Sequence, residues 1–348
     1  MKIHKFKQLI DPHVHFRFPG QENKETWAAG SAAAVAGGLT IVLDMPNNQP
    51  PTLTEKLLEE KIENARQNSL VNFGFHFGCS ANNLEEIARL KNKIHSVKVF
   101  MNEITGNLLI KDDKILEKIF SLVDLVCVYA EREMIEKAVW LTEKCKNKLY
   151  FCHISEKKEI DYLKKIKKKL KIYIEVTPHH LFLTEEDNKN ALTKMKPSLK
   201  KKKDQAALWQ AIDEGIVDTI GTDHAPHTLE EKKDDDPPSG VPGVETVLPL
   251  LLDAYHQGKI SLEGIERLMS ENPAEIFRIQ RQEDTYTLVD LDSEKEVKKE
   301  NLRSKCGWSP FVGWRLKGWP IKTVINGKIV FEKDKIFNHN LDHYIYGT

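Results

Sequence analysis

Two histidines near the start of the chain have the type and spacing of metal ligands. His13 and His15 stand two residues apart in the apolar run Leu9–Phe16, and residues i and i+2 of a strand face the same side. Both imidazoles would therefore converge on one point, as the ligands of a metal ion do. Two structural histidines would give the same pattern, so the pair needs support from the rest of the chain.

Three further apolar runs each carry a side chain that can bind metal. His153 and Asp223 stand at the ends of their runs, and Lys98 interrupts the apolar stretch Ser96–Met101. A lysine in that position can extend to the rim of the fold, or it can react with carbon dioxide to give a carbamate that bridges two metal ions. Four runs with such groups predict a metal centre, and imidazole and carboxylate ligands suit zinc.

The runs that carry these side chains alternate with helical patterns. Eight strands that alternate with helices predict a (β/α)8 barrel, whose active sites form at the carboxyl ends of the strands. An open, doubly wound sheet is the alternative, but the Gly-rich turn that would follow its first strand is missing. The eight predicted strands are Leu9–Phe16, Thr40–Met45, Asn72–Gly78, Ser96–Met101, Val126–Ala130, Leu149–Ile154, Ile172–Thr177 and Val217–Thr222.

Amphipathic patterns between the strands predict helices. Clear examples are Thr54–Gln67, Asn83–Leu90 and Asp113–Leu122. The pair Asn272-Pro273 predicts the start of a later helix, because Asn is a favoured N-cap and Pro is favoured at the first helical position.

The pattern changes after about Asp284. Tyr286–Asp290 and Thr323–Phe331 have the composition of strands, and Asn326-Gly327 is a hairpin turn signal. We therefore expect two units: a barrel over residues 8–283 and a small β appendage over residues 284–348 that packs on it.

The composition excludes several classes of function. The chain of 348 residues carries 52 basic and 52 acidic residues, so its net charge is zero, and this balance argues against nucleic-acid and membrane-surface partners. No run reaches the roughly 20 apolar residues of a membrane helix, and the polar N-terminus lacks a signal-peptide pattern. Five scattered cysteines are expected to be free thiols in a reducing cytoplasm.

Several segments resemble the motifs of dihydroorotases, which belong to the amidohydrolase superfamily. The segment around Asp223 is the most specific of them, and the resemblance extends from about residue 10 to about residue 335. The chain is most similar to the compact form found as a domain of the animal multifunctional pyrimidine enzyme, and it would lack the extra N-terminal β segment of longer bacterial members. The segments are Asp11–Arg17, Asp44–Asn48, Thr222–Lys232, Val241–Thr246 and Lys305–Phe311.

The resemblance implies a metal-dependent hydrolysis of a cyclic amide. One metal ion would be held by His13, His15, Lys98 and Asp223, with Lys98 as a bridging carbamate, and His153 would belong to a second ion. The metal would supply hydroxide and polarise the ring carbonyl, and Asp223 would move the proton to the leaving nitrogen. The reverse reaction closes N-carbamoyl-L-aspartate into dihydroorotate for pyrimidine biosynthesis.

The resemblance also implies a set of substrate contacts. A substrate carboxylate would be bound by an arginine, an asparagine and a histidine, and the ring amide by backbone near a glycine. A lysine falls where relatives place another contact residue, and a threonine stands in Asn102–Leu108, which we interpret as a mobile lid. These residues are Arg17, Asn47, His227, Gly240, Lys196 and Thr105.

One position departs from the family pattern. Tyr129 stands where members place a histidine ligand of the second metal, and a phenol is a poor zinc ligand at neutral pH. The site would then hold one metal ion, or another residue would replace the histidine, or the protein would be a weak or partner-dependent catalyst. The candidate replacements are Cys152, Glu175, His179 and His180.

Two other functions share these features. Allantoinases and hydantoinases have the same barrel and ligands, but the pairing of Arg17 with Asn47 favours a substrate that carries a carboxylate. A barrel that has lost its catalytic activity and serves as a scaffold is the third hypothesis, and Tyr129 is the feature that favours it. As a dihydroorotase the protein would bind a small-molecule substrate, and it would form a homodimer or associate with aspartate carbamoyltransferase.

Overall fold

The computed structural model describes residues 2–102, 108–188, 190–339 and 343–347. Within these ranges the chain forms two sheets. The strands are β1 (Ile3–Lys7), β2 (Ile10–Val14), β3 (Ile41–Asp44), β4 (Asn72–Gly78), β5 (Ser96–Phe100), β6 (Leu125–Tyr129), β7 (Lys148–Phe151), β8 (Ile172–Val176), β9 (Thr219–Ile220), β10 (Tyr286–Glu296), β11 (Arg315–Ile325), β12 (Lys328–Glu332) and β13 (Lys335–Ile336).

Eight parallel strands, β2 to β9 in chain order, form a barrel that is nearly closed. The two ends of the sheet meet where His15 N donates to His224 O at 2.9 Å. Side chains from both faces of these strands are buried, which is typical of a parallel sheet covered by helices. The prediction of a (β/α)8 barrel is therefore confirmed. All eight predicted strands are present, Asn72–Gly78 with the predicted bounds and the others with ends that differ by up to three residues.

Helices connect the strands and cover the outside of the barrel. Their amphipathic faces follow the sequence pattern: in Asp113–Leu122 the residues Leu116, Ile119 and Phe120 are buried, and the Asp112 side chain caps the first turn. The helices are α1 (Trp27–Ala36), α2 (Glu55–Asn68), α3 (Leu84–Leu90), α4 (Asp113–Leu122), α5 (Glu133–Cys145), α6 (Lys157–Ile166), α7 (Pro178–Phe182), α8 (Lys202–Asp213), α9 (Val247–His256), α10 (Leu262–Glu266) and α11 (Asn272–Ile276).

The predicted helix at Asn272-Pro273 is present as α11, but Asn272 is not the N-cap that the prediction made it. Asn272 has helical dihedral angles, and a π-helical segment (Arg267–Glu271) joins α10 to α11 without a break. Proline has no N–H group to donate to the preceding turn, and the wider π turn accommodates that missing hydrogen bond. The Asn272 side chain is used for a tertiary contact instead, because its Nδ2 donates to Asp218 O at 2.8 Å.

The second sheet is antiparallel and has the order β1-β10-β11-β12-β13. The turn between β11 and β12 is the predicted one, with Asn326 and Gly327 both at positive φ (50° and 73°). The sheet also contains β1, a strand from the N-terminal end that the sequence pattern did not indicate. Two side-chain hydrogen bonds join this second sheet to the barrel. Thr287 Oγ1 donates to Gly38 O and Thr323 Oγ1 donates to Val35 O, each at 2.7 Å.

Two carboxylates, the buried Glu25 and the partly buried Glu245, hold the segment that leads from the second sheet to the open end of the barrel. Glu25 accepts hydrogen bonds from Ser304 Oγ at 2.5 Å and from Lys305 N at 3.2 Å. Glu245 accepts from Arg303 N at 2.9 Å. Burial raises the pKa of Glu245 to about 7, against the opposing effect of these N–H donors.

The raised pKa of Glu245 predicts a pH-dependent stability. Because the folded chain keeps this proton up to about pH 7 while the unfolded chain releases it near 4.5, stability should fall as the pH rises between these values. The expected fall is on the order of 2 kcal/mol, since one pKa unit corresponds to about 1.4 kcal/mol. Urea unfolding at pH 5 and pH 8 should show a smaller fall for Glu245→Gln than for the wild type. Glu300→Gln, at an exposed position, is the control, and an equal fall in all three proteins would contradict this assignment.

None of the helices in the described ranges has the length and apolar character that crossing a membrane requires.

Candidate active site

A cavity of about 770 Å³ opens at the carboxyl ends of the barrel strands. Its lining contains almost every residue that the sequence analysis assigned to the site. Thr105 is the exception, because it and most of the proposed lid lie outside the described residues. The assigned residues that line the cavity are His13, His15, Arg17, Asn47, Lys98, His153, Lys196, Asp223, His227 and Gly240.

The backbone turns sharply where three of these side chains enter the cavity. Arg17, His153 and Asp223 have φ values of 65°, 41° and 46°, in the left-handed region that residues with a side chain rarely adopt. Such a conformation costs on the order of 1 kcal/mol at each residue, and it is found mainly where function requires it. In each case the turn follows a barrel strand, so it directs the side chain across the mouth.

The metal-type side chains converge on the Asp223 carboxylate. Asp223 Oδ1 lies 2.9 Å from His15 Nε2 and 3.3 Å from His13 Nε2. Ligand atoms of His13, His153 and Asp223 all lie within 4.8 Å of one another. Imidazole nitrogens and a carboxylate oxygen at this spacing fit a divalent ion such as zinc.

Three members of this cluster, His15, His153 and Asp223, have protonation states that suit metal binding. Burial lowers the pKa of His15 to about 4 and that of His153 well below its usual value, so both rings are neutral at pH 7. Burial alone would raise the pKa of Asp223, but the neighbouring histidines hold it well below the usual range. A neutral imidazole and an ionised carboxylate are the forms that coordinate metal.

A second group of potential ligands lies deeper in the barrel. Ligand atoms of His13, Cys152 and Glu175 are also within 4.8 Å of one another, and His13 Nδ1 lies 2.8 Å from Glu175 Oε1. Glu175 further accepts from Tyr150 Oη at 2.7 Å. Burial opposes a charge on His13, but the carboxylates of Glu175 and Asp223 raise its pKa well above the usual value. Glu175 therefore fixes the orientation of the His13 ring.

Lys98 does not extend to solvent. It is 1% exposed, and its Nζ donates to Cys152 Sγ at 2.7 Å. The amine therefore lies inside the barrel, where the interpretation as a metal-bridging group requires it to be.

Tyr129 is neutral and already hydrogen-bonded. It is 2% exposed at the end of β6, its hydroxyl donates to Glu131 in a short hydrogen bond, and its ring packs edge-on against His153 with 4.9 Å between centroids. Burial, with the Glu131 carboxylate, raises the pKa of the phenol above its ordinary value. The phenol is therefore unsuited to replace the expected histidine ligand.

The histidines after β8 do not replace that ligand either. His180 has both ring nitrogens engaged, with Thr177 Oγ1 at 2.7 Å and Pro197 O at 3.0 Å. His179 Nε2 is buried without a hydrogen-bond partner among the described residues. Within the same part of the chain, neither histidine belongs to a group of three ligand atoms close enough to share an ion.

The opposite side of the cavity is suited to a carboxylate. Arg17 is buried, its Nε donates to Pro226 O at 3.0 Å, and its Nη2 lies 3.2 Å from His227 Nε2. Burial lowers the pKa of this guanidinium only to about 10, so it stays charged. Asn47 Oδ1 is buried and has no hydrogen-bond partner among the described atoms. The guanidinium fork of Arg17 can donate to a carboxylate, and so can the side-chain NH2 group of Asn47, whereas Asn47 Oδ1 can only accept.

The loop that ends at Gly240 closes this side. Gly240 has a φ of 136°, and a Cβ atom there would lie 2.5 Å from Ala225 O, so only glycine fits. Its N–H donates to Lys194 O at 3.0 Å. Lys232 also stabilises this loop, because its buried Nζ donates to Lys194 O and Pro238 O.

The sequence analysis missed three contributors to the site. Lys24 lies 3.3 Å from His227 Nδ1 and 2.9 Å from Glu231 Oε1. Trp308 Nε1 donates to His227 O at 2.7 Å. Glu231 and Trp308 stand inside segments that resemble family motifs, but nothing in their local pattern indicated a role. Lys24 is 203 residues from His227 in the chain, and only the tertiary structure reveals their contact.

Comparisons with known proteins agree with this geometry. The sequence profile of the Amidohydrolase family matches residues 9–330. The dihydroorotase of Pyrococcus furiosus is 36% identical over 351 residues, which cover 94% of this chain and 81% of that protein. The multifunctional protein pyr1-3 of Dictyostelium discoideum is 36% identical over 343 residues, or 96% of this chain, but the chain spans only 15% of its length.

The fold has close counterparts among solved structures. The L-hydantoinase of Arthrobacter aurescens superimposes with a TM-score of 0.91, covering 98% of this chain and 88% of that one at 24% identity. This likeness confirms the barrel and its second sheet as one shared architecture. The extent of the profile match and the identity to full-length relatives show that the chain belongs to the amidohydrolase family, and the resemblance to dihydroorotases is confirmed.

Proposed function

We propose that the protein is a dihydroorotase, a cyclic amide hydrolase that interconverts dihydroorotate and N-carbamoyl-L-aspartate in pyrimidine biosynthesis. The observation that supports it most directly is the position of the buried Arg17 guanidinium in the same cavity as the Asp223 cluster. A substrate held there can present a carboxylate to Arg17 and a ring amide to the metal side. Hydantoin and allantoin lack that carboxylate.

The residues have distinct tasks in this reaction. His13, His15, His153 and Asp223 would hold a zinc ion, which when bound lowers the pKa of water and polarises a carbonyl group. Asp223 accepts the proton of the attacking water and delivers it to the ring nitrogen that leaves. Arg17, Asn47 and His227 bind the substrate carboxylate. The strained backbone at Asp223 keeps the carboxylate between the two histidines and the cavity.

We further propose that the site holds one metal ion. The basis is Tyr129, whose hydroxyl is committed to Glu131, so that β6 supplies no ligand. With one ion, Lys98 stays an amine that donates to Cys152. A carbamylated Lys98 would instead be anionic and would suit a pair of ions.

Metal content measured together with turnover tests both parts of the proposal. The wild type should hydrolyse dihydroorotate, in preference to hydantoin and allantoin, and should contain one equivalent of metal by elemental analysis. Tyr129→His should raise the content toward two equivalents, because an imidazole at the end of β6 restores the missing ligand. Tyr129→Phe is the matched control and should keep one.

The outcomes separate the alternatives. Two equivalents in the wild type would contradict the one-ion site and favour a second ion, held by a bridging carbamate on Lys98 or by the group of His13, Cys152 and Glu175. Preference for hydantoin or allantoin would contradict the assigned substrate. Bound metal without any turnover would favour the scaffold hypothesis or a catalyst that needs a partner. Association with aspartate carbamoyltransferase, homodimer formation and a cytoplasmic location remain predictions.

A further inference from the structure

Helix α2 carries a lysine on its buried face. That face is formed by Leu58, Lys61 and Ala65, and the Lys61 side chain is fully buried, with 0% exposed. A lysine on a helix normally extends its charged end to solvent, and an ammonium that is buried loses its hydration. A leucine or methionine would fill the same position without that cost, so packing alone does not account for a lysine here.

Three acceptor atoms surround the Lys61 ammonium. Nζ donates to Met45 O at 2.8 Å and to Asn48 Oδ1 at 2.7 Å, and it forms an ion pair with Asp44 Oδ2 at 2.5 Å. An ammonium has three hydrogens to donate, so each of them has an acceptor. All three acceptors belong to the end of β3 and the turn that follows it.

The acceptors lie on both sides of Asn47 in the chain, one two residues before it and one directly after it. Two backbone hydrogen bonds close the same turn, because Asn48 N and Thr52 N each donate to Pro46 O at 2.9 Å. Asn47 Oδ1 has no hydrogen-bond partner among the described atoms. The position of the Asn47 side chain therefore depends on the backbone of the turn that Lys61 holds.

The carboxylate that pairs with Lys61 also holds the segment that carries Arg17. Asp44 Oδ1 accepts from Phe16 N at 2.6 Å, directly before Arg17 in the chain. The backbone of Arg17 has a φ of 65°, a conformation that persists only where its surroundings hold it. One buried ion pair thus joins the two segments that supply donors to the carboxylate side of the cavity.

We propose that Lys61 is a positioning residue for the carboxylate side of the cavity, where it holds Asn47 through the turn and Arg17 through Asp44. The part that concerns the substrate carboxylate rests on the proposed function. Lys61 does not line the cavity itself, so it acts on the substrate only through these two side chains. Its loss should weaken the binding of the carboxylate and leave the binding of the ring unchanged.

The charges of the ion pair decide which variant is informative. Burial lowers the pKa of Lys61 and raises the pKa of Asp44, and the charge of each partner opposes the effect on the other. Lys61→Met alone would leave an unpaired carboxylate in the core and would destabilise the fold. The test variant is therefore Lys61→Met combined with Asp44→Asn, which removes both charges and keeps an oxygen that can accept from Phe16 N.

Kinetics on the full-length, metal-loaded protein tests the consequence for binding. The double variant should raise the KM for dihydroorotate about tenfold, the size expected for one lost hydrogen bond, with kcat little changed. The inhibition constant of dihydrouracil, which has the ring without the carboxylate, should keep its wild-type value. Asp44→Asn alone retains the contacts of Lys61 with Met45 and Asn48 and should keep the wild-type KM. Lys56→Met, which removes an exposed lysine of α2, controls for the loss of a positive charge.

Hydrogen exchange measures the effect on the turn without any assay of activity. The N–H groups of Asn48 and Thr52 should exchange slowly in the wild type, because both donate to Pro46 O. In the double variant they should exchange about tenfold faster, as expected when a turn loses one stabilising hydrogen bond. Asn48→Ala leaves the ion pair intact and removes one acceptor of Lys61. It should show faster exchange at Thr52 and a higher KM at an unchanged inhibition constant, even if the double variant fails to fold.

Three results would overturn the inference: equal KM values for the double variant and Asp44→Asn, a parallel rise in the KM for dihydroorotate and the inhibition constant of dihydrouracil, or unchanged exchange at Thr52. A failure of the proposed function has a different signature. The wild type would then show no turnover of dihydroorotate, while hydrogen exchange would still report whether Lys61 orders the turn.

Discussion

Replacing Asp223 with asparagine should lower kcat for dihydroorotate hydrolysis by about a thousandfold, within the range known for the loss of a general acid or base. Asparagine has nearly the same shape and keeps an oxygen that can accept from His15. It cannot take up the proton of the attacking water, and it cannot return one to the leaving nitrogen. It also removes the negative charge on which His13 and His15 converge.

The assay should follow both directions of the reaction, because the same group would accept a proton and then donate it in hydrolysis as well as in ring closure. Metal content must be measured on the same sample, so that a loss of the ion is distinguished from a loss of proton transfer. Asp161→Asn, on the exposed face of α6, is the matched control. A variant at Asp223 that keeps kcat within tenfold of the wild type would show that another group moves the proton.

Replacing Arg17 with methionine should raise the KM for dihydroorotate about a hundredfold, since hydrogen bonds to charged groups contribute about 1.5–3 kcal/mol. The same change should have little effect on dihydrouracil, the analogue without the carboxylate. The preference of the enzyme for dihydroorotate over dihydrouracil should therefore nearly disappear. Arg17→Lys should recover only part of the preference, because an ammonium lacks the planar fork of a guanidinium.

Competition assays with the two substrates measure this preference in one experiment. Arg89→Met, which removes an exposed arginine of α3, controls for the loss of a positive charge. If Arg17→Met lost activity on both substrates equally, Arg17 would be needed for folding or for the metal site. Its assignment to the carboxylate would then be wrong.

The parts of the structure that the sequence predicts are those set by local periodicity. Strand alternation placed His13 and His15 on the same side, and the position of His153 and Asp223 at strand ends placed them at the mouth. Parallel strands end at the same edge, so the cluster follows from the fold class. The Asn326-Gly327 turn was predictable for the same reason, because two residues determine its geometry.

The sequence fails where a long-range contact decides the outcome. Proline at position 273 signals a helix start, but the π segment before it lets the helix continue. The strand Ile3–Lys7 is defined by pairing with a strand near the other end of the chain, Ile3 opposite Asp290 at its start and Lys7 opposite Tyr286 at its end. The contact of Lys24 with His227 likewise joins two distant turns. No local pattern carries such information.

The left-handed backbone at Arg17, His153 and Asp223 has a consequence for how this enzyme can change over evolutionary time. Glycine at any of the three would relax the backbone and raise the stability, yet it would delete a side chain to which the proposed reaction assigns a task. Selection for higher thermal stability and selection for faster turnover therefore oppose each other at these positions. Lineages under thermal pressure are expected to gain their stability elsewhere in the barrel, and to leave these three residues unchanged.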